Sequence, residues 1–371
     1  MGVKGLLGLV KTHAPTAKQT IPKSDLRGNV IAIDAMLFLY KSIIGIRQTG
    51  KDLTDSSGRI TSHLYKIFQK TISLLRDGIF PIFVFDGRPP SIKRRQLKKR
   101  RDTKKKAIKK LESSELLTKE EKIRYFKRSF QMKPYIIKDC QRLLDLLGIP
   151  YVQAPEEADS QCAALAISKD SPVTYVATED ADILAFKSSI LVGFMNEKTV
   201  TNVNIDIILS SFGINFSQFI DLCILMGTDY CPTIAGIGPT LALAGMKKHK
   251  TMESFLDELK YKNEIAKDEN KPPPFRIPND FMDKRNETRN YYIYNALVIE
   301  PKEISFKWKE CRLEETIEFL CKERDFEKRF VVNNLYQIQR LRCITQYPED
   351  KSSIVKKRKL PRKFDRRNKW R

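Results

Sequence analysis

Three short apolar runs in this chain each end on an acidic residue, and that placement constrains the fold more than any other feature. They are Val30–Ile33, followed by Asp34; Ile79–Phe85, followed by Asp86; and Val173–Ala177, which leads into Thr178-Glu179-Asp180-Ala181-Asp182. Apolar runs of about four to eight residues suit strands buried on both faces better than helices. Stretches of helical period at 61–76, 139–148 and 156–168 separate them. Strand alternating with helix predicts an α/β fold: a mostly parallel twisted sheet with helices on both faces. Ligands of such sheets bind beyond the carboxyl ends of the strands. One strand-end aspartate, taken alone, reads as a helix cap or turn residue. Three strands delivering Asp34, Asp86, Asp180 and Asp182 to one edge read as a site.

More acids fall in register with that edge. Glu157 and Asp159 open a helical stretch in Pro155-Glu156-Glu157-Ala158-Asp159, and Asp229 follows an apolar helix in Met226-Gly227-Thr228-Asp229-Tyr230. Glu156 needs no more than the favourable interaction of an acid with a helix N-terminus, and is left out of the site. Seven converging carboxylates repel one another strongly unless cations sit among them. The three histidines, His13, His63 and His249, are scattered. The donor set is therefore almost purely oxygen, which disfavours zinc and points to Mg²⁺, with Mn²⁺ as a substitute. Two such ions activate a water and stabilise both oxygens of a phosphodiester displacement.

The net charge of +23 is concentrated in two places. Residues 88–110 carry thirteen Lys/Arg against the single acid Asp102, and residues 356–371 carry ten against Asp365. Two runs so poor in compensating acid point to a polyanion partner. The chain divides into an N-terminal part of a nuclease core (1–85), a basic helical insertion (86–134), an internal part of the core (135–230), a helical region (231–343), and a basic tail expected to be disordered (344–371). No run of eighteen apolar residues offers a membrane span. The seven cysteines form no C-x-x-C pair, and their odd number reads as reduced thiols in an intracellular protein, expected to be monomeric.

The segments MGVKGLLGLV, IAIDAMLFLY, FVFDGRPP, APEEADSQCAAL, ATEDADILAF and LMGTDYC…IAGIGP resemble, in order, the flap endonucleases, over about residues 1–340. These belong to the structure-specific 5′ nucleases with a PIN-like core. The resemblance implies a 5′ flap endonuclease, with 5′ to 3′ exonuclease activity, acting on branched or flapped DNA at replication and repair junctions. It implies that Asp34, Asp86, Glu157, Asp159, Asp180, Asp182 and Asp229 hold two Mg²⁺ ions. Lys93 and Arg100, seven residues apart in a helical arch, would grip the scissile phosphate. Gly2, Tyr40, Arg47, Thr61, Gly236 and Gly238 would contact DNA; Tyr40 would stack on a base, and Thr61, with Phe319, would belong to a pocket for a 3′ flap. The GIGP turn at 236–239 would belong to a helix–two-turn–helix element that holds a phosphate and a K⁺ ion.

The chain departs from the family in three places. Asp159 stands where flap endonucleases usually have Glu and their mismatch-repair exonuclease relatives have Asp. Thr240 replaces a Lys or Arg, and no peptide resembling the sliding-clamp motif follows Gln339, so clamp binding stays open. The alternatives are a mismatch-repair type 5′ to 3′ exonuclease and, of a different class, a non-catalytic junction binder. The latter predicts missing metal ligands, and none is missing. Activity at replication junctions implies the nucleus in a eukaryote, and Lys356-Lys357-Arg358-Lys359 reads as an import signal or a DNA-binding arm.

Deleting residues 350–371 is expected to weaken DNA binding without moving the cut. For each phosphate the tail no longer neutralises, the plot of log affinity against log salt becomes shallower by about 0.9. Binding of labelled flap DNA across a salt series, with the products mapped, checks both parts. An unchanged slope would assign the tail to import or partner docking.

Overall fold

A computed structural model of the chain describes residues 2–113, 117–194 and 198–344. The basic tail lies outside the described residues, apart from Ile344 at the end of the last helix. Seven strands form one sheet: β1 (Lys18–Pro22), β2 (Val30–Asp34), β3 (Phe80–Phe85), β4 (Tyr151–Gln153), β5 (Val173–Ala177), β6 (Ile190–Val192) and β7 (Thr199–Val203). Their order across the sheet is β1-β7-β6-β5-β2-β3-β4. Neighbours from β6 to β4 run parallel, while β7 pairs antiparallel with both β6 and β1. The three strands expected from the sequence are β5, β2 and β3, adjacent in the interior of the sheet, and every residue of β2 and β3 is buried. In register, Asp34 lies opposite Val84, and Ile33 lies between Phe83 and Ala177. The carboxyl ends of the three strands are thus level, and the acids that follow them emerge together.

Alternation along these strands builds two cores, one on each face. Val30, Ala32, Ile82, Val84 and Val176 face one of them. It is covered by α1 (Leu6–His13), α7 (Ala158–Ile167), α8 (Ile205–Phe212), α9 (Phe216–Met226), α10 (Pro239–His249) and α11 (Met252–Asp268). Ile31, Ile33, Phe83 and Phe85 face the other, under α2 (Ala35–Arg47), α3 (Ser62–Arg76), α6 (Pro134–Leu147) and α14 (Lys328–Ile344). Burying each such large side chain contributes about 1.5–3 kcal/mol. Among the described residues, the remaining α-helices are α4 (Arg94–Glu112), α5 (Lys119–Ser129), α12 (Phe281–Asn290) and α13 (Leu313–Ile317).

The basic run forms α4, and its only buried residue is Ala107. A 19-residue helix with so little apolar surface cannot rest on a core, so it stands off the sheet and packs along α5. A Thr118/Glu121 capping box starts α5. Arg47, at the end of α2, anchors this pair from below. Its guanidinium donates to the Phe126 carbonyl at 2.6 Å, lies 3.9 Å from the Phe126 ring centre and pairs with Asp52 at 2.9 Å.

Behind the sheet, α9 ends at Gly227 (φ 105°) and α10 begins at Gly238. Between them Gly236 adopts φ 96°, and a Cβ there would strike the Pro274 carbonyl. That close approach of two backbones restricts the position to glycine. Buried Asp221 on α9 is held by Arg285 (2.8 and 2.9 Å) and Arg289 (2.9 Å) on α12, which fixes α12 and the turn after it against α9. Breaking such a buried pair from one side costs about 3–5 kcal/mol.

Candidate active site

All seven acids singled out in the sequence open into one cavity of about 540 Å³, together with Lys93, Arg100 and Tyr40. Each strand-end acid is aimed by a backbone amide. Asp34 is the N-cap of α2, and its Oδ1 accepts from Leu37 N at 2.9 Å. Asp86 Oδ1 accepts from Ala158 N at 2.7 Å, which ties the end of β3 to the start of α7. Asp180 Oδ1 accepts from Asp182 N at 3.1 Å, while Asp180 N donates to Thr178 Oγ1 at 3.0 Å. One oxygen is fixed in each case, leaving the other to serve the cavity. Asp34 is therefore both a cap and part of the cavity lining.

The remaining acids either meet cations and a tyrosine hydroxyl or keep one oxygen without a partner. Glu157 accepts from Lys93 Nζ through one oxygen and from the Tyr230 hydroxyl through the other. Asp229 pairs with Arg100 at 2.5 Å and with Lys93 at 3.8 Å. Asp159 Oδ1 and Asp182 Oδ1 are buried with no hydrogen-bond partner. Among the described residues, no three acid, His or Cys side chains close into a ready-made metal cage. The carboxylates line a shared space instead.

This crowding shifts protonation. Burial, then the charge of Asp86, pushes the Asp34 carboxyl up to about 7 against the pull of the Leu37 amide. Burial also raises Asp86 and Asp180, each against a backbone amide that favours the charged form. Asp159 and Asp182 rise well above the usual carboxylate range, through burial and then the charge of Asp180. Burial alone would lower the Lys93 ammonium, but Glu157, Asp159 and Asp229 outweigh it and raise it. A cluster so costly to ionise is matched to added positive charge. The donors are all oxygen, no histidine lines the cavity, and two buried carboxylate oxygens lack partners. The residues present fit hard divalent cations.

The XPG N-terminal domain matches residues 1–107, and the XPG I-region matches 148–229. Flap endonuclease 1 from Meyerozyma guilliermondii is 37% identical over 335 residues, covering 88% of this chain and 86% of that protein. Human flap endonuclease 1 is 35% identical over 351 residues, covering 92% and 87%. The chain belongs to the flap endonuclease family. Flap endonuclease-1 from Methanococcus jannaschii superposes with a TM-score of 0.68 at 29% identity, over 92% of this chain and 98% of that one. The catalytic core of Rad2 bound to a DNA substrate shares the fold, with a TM-score of 0.69 at 22% identity over 91% and 100%. As a flap endonuclease the protein is a metal-dependent, structure-specific nuclease that hydrolyses DNA phosphodiesters.

The other residues expected at the DNA are spread more widely in this flap endonuclease. Tyr40 is 39% exposed, tilted against Phe130 with ring centres 6.0 Å apart, and lines the same cavity. Gly2 (φ 88°) packs so closely on Asp180 that a Cβ would collide with the carboxylate. Gly236 and Gly238 are exposed at the start of α10, as is Thr240. Arg47 is not brought to the cavity. It is buried, and its charge is committed to Asp52 and α5. Thr61 is buried ahead of α3, outside the cavity, with its amide bonded to Leu53 O at 2.8 Å. Phe319 is a fully buried core residue under the guanidiniums of Arg142 and Arg324. Sequence reasoning missed Tyr230 as a participant. Its hydroxyl reaches Glu157 across 73 residues, and the only local signal was its place beside Asp229.

Lys93→Ala and Arg100→Ala are expected to slow the single-turnover step by about 10²-fold or more while changing DNA affinity by less than about 3-fold. Eleven other cations of the basic run still supply general attraction. A lowered affinity with an unchanged single-turnover rate would make these two residues part of a basic face only.

Proposed function

We propose that the cavity is the hydrolytic centre of a 5′ flap endonuclease using two Mg²⁺ ions, with Mn²⁺ as a substitute. One observation carries this reading: seven acids, with Lys93 and Arg100 among the cations of the basic run, line a single cavity at the carboxyl edge of the sheet. Asp34, Asp86, Glu157, Asp159 and Asp180 would hold the ion nearest the reacting phosphate, with Asp182 and Asp229 serving the second. Bound there, the ions supply a nucleophilic water at neutral pH and stabilise charge on the attacking and leaving oxygens.

The chain's own residues do the rest. Lys93 and Arg100 sit on the arch side of the cavity, where an incoming phosphate would exchange for the carboxylates they now touch. Each would then neutralise charge that grows on the phosphate towards the transition state. Tyr40 presents an aromatic face at the cavity mouth, suited to stacking on the base beside the cut. The exposed start of α10 offers backbone amides to a duplex phosphate, and the carbonyls of the Gly236–Pro239 turn suit a K⁺ ion. Branched or flapped DNA is the substrate that uses all of these at once, and the monomer carries every one of them. Work at replication and repair junctions would place it in the nucleus of a eukaryote. The short Asp159 favours a larger share of exonuclease activity than Glu would.

Asp180→Asn tests the metal assignment. It is expected to cut the cleavage rate on a double-flap substrate by about 10³-fold or more. Junction binding in Ca²⁺ should stay within a few-fold of wild type. Turnover near the wild-type rate would sink the two-metal reading. If wild-type protein with Mg²⁺ bound flaps but left them uncut, the non-catalytic junction binder would replace it.

The turn is tested by exchanging cations. Potassium, compared with lithium at equal ionic strength, is expected to tighten binding to the duplex downstream of the flap, with a reduced effect because Thr240 supplies no positive charge. Identical affinities in the two salts would make the turn a structural hairpin.

A further inference from the structure

The geometry points to Tyr230 as a positioning residue that fixes the metal-ligating Glu157 and the phosphate-binding Lys93 as one unit, braced by a buried tyrosine pair from the far end of the chain. The inference rests on the two-metal reading of the cavity. Both oxygens of Glu157 are taken, one by Lys93 Nζ and the other by the Tyr230 hydroxyl. Lys93 Nζ also lies 5.6 Å from the centre of the Tyr230 ring, within range of attraction to its face. Tyr230 thus touches both partners of the ion pair, through its hydroxyl on one and its ring on the other. A carboxylate held by two donors keeps one rotamer, and an ammonium shared between a carboxylate and a ring face keeps one direction.

Tyr230 is itself immobilised. It is 4% exposed, with its ring centre 5.1 Å from Tyr291 and 5.5 Å from Tyr292. Phe186 closes the group 5.0 Å from Tyr292. Tyr291 and Tyr292 begin a π-helical turn, Tyr291–Asn295, that follows α12, and the Asp221 pairs hold α12 to α9. An irregular turn of this kind, which costs regular hydrogen bonding, presents two adjacent tyrosines to the same point. The C-terminal helical region therefore reaches the active site through aromatic packing, and none of its described acids or bases lines the cavity.

The hydroxyl, not the ring, is the element tested. Tyr230→Phe keeps the packing and removes one donor from Glu157. Single-turnover cleavage of a double flap is expected to slow by roughly 10–100-fold. Mn²⁺ affinity, read by electron paramagnetic resonance without DNA, should weaken by about 10-fold or more. Flap affinity in Ca²⁺ should stay within about 3-fold, and the melting temperature should hold. The double variant with Glu157→Gln should bind Mn²⁺ no more weakly than Glu157→Gln alone, because the hydroxyl acts through that carboxylate. Wild-type Mn²⁺ affinity in Tyr230→Phe would overturn the inference and leave the two-metal reading standing. Additive losses in the double variant would overturn it too, as would a collapse in melting temperature or flap affinity. Wild-type protein that binds no Mn²⁺ would overturn both readings.

Discussion

Seven carboxylates open into one cavity of about 540 Å³, and their mutual repulsion is the constraint around which the rest is arranged. Like charges this close in a partly desolvated space cost several kcal/mol unless balanced. The protein balances them in two ways. Backbone amides of Leu37, Ala158 and Asp182 each take one oxygen of a strand-end acid, which favours the charged form and fixes its direction. Lys93 and Arg100 reach down from the arch to Glu157 and Asp229. Asp159 and Asp182 remain, each with a buried oxygen lacking a partner, and their carboxyls are the ones pushed well above the usual range. The unmet demand for positive charge is thus localised inside the cavity, at the carboxyl edge of the sheet.

The arch follows from the same requirement. A helix with thirteen cations in and just before it and one buried residue gains almost nothing from a hydrophobic core. It is held by α5 along its length and, through α5, by Arg47. Among the described residues of the arch, Lys93 and Arg100, two helical turns apart on one face, are the cations ion-paired to the acids. A polyanion entering between arch and sheet would compete for the same two cations. Packing on α5 keeps the helix in place, so those two cations can exchange partners without dismantling the fold.

The central sheet was legible because β5, β2 and β3 are covered on both faces, so they read as continuous apolar runs. The acids were legible because each stands directly after such a run or at a helix start. The outer strands were not. β4 and β6 have three residues each, and β1, Lys-Gln-Thr-Ile-Pro, is an edge strand with no fully buried residue, so no periodic signal exceeds that of a loop. The partners of Arg47 were not legible for a related reason: sequence shows a cation but not the acid that takes up its charge, here Asp52, nor the Phe126 carbonyl it meets. Tyr230 was hidden by distance, since its partners lie at Lys93, Glu157 and Tyr291–Tyr292, and nothing local to it marks their approach.

The contrast between Asp221 and Asp182 separates scaffold from site. Both are buried aspartates, 4% and 3% exposed, and both lie on α9 or on the segment packed against it. Asp221 is met by two arginines through three bonds of 2.8–2.9 Å, an ion-pair geometry that leaves neither oxygen free. Asp182 has a buried oxygen with no partner at all. Burial without compensation persists in a folded chain only where the surroundings hold the group in place. Here they do: Asp182 sits in the short helical turn Ala181–Phe186, every residue of which is buried, and its amide is pinned to Asp180. Packing around that turn sustains the electrostatic frustration within it. A substitution that relieved the frustration, replacing such an acid with a neutral isostere, should therefore leave the fold intact or firmer while weakening the attraction of the cavity for cations.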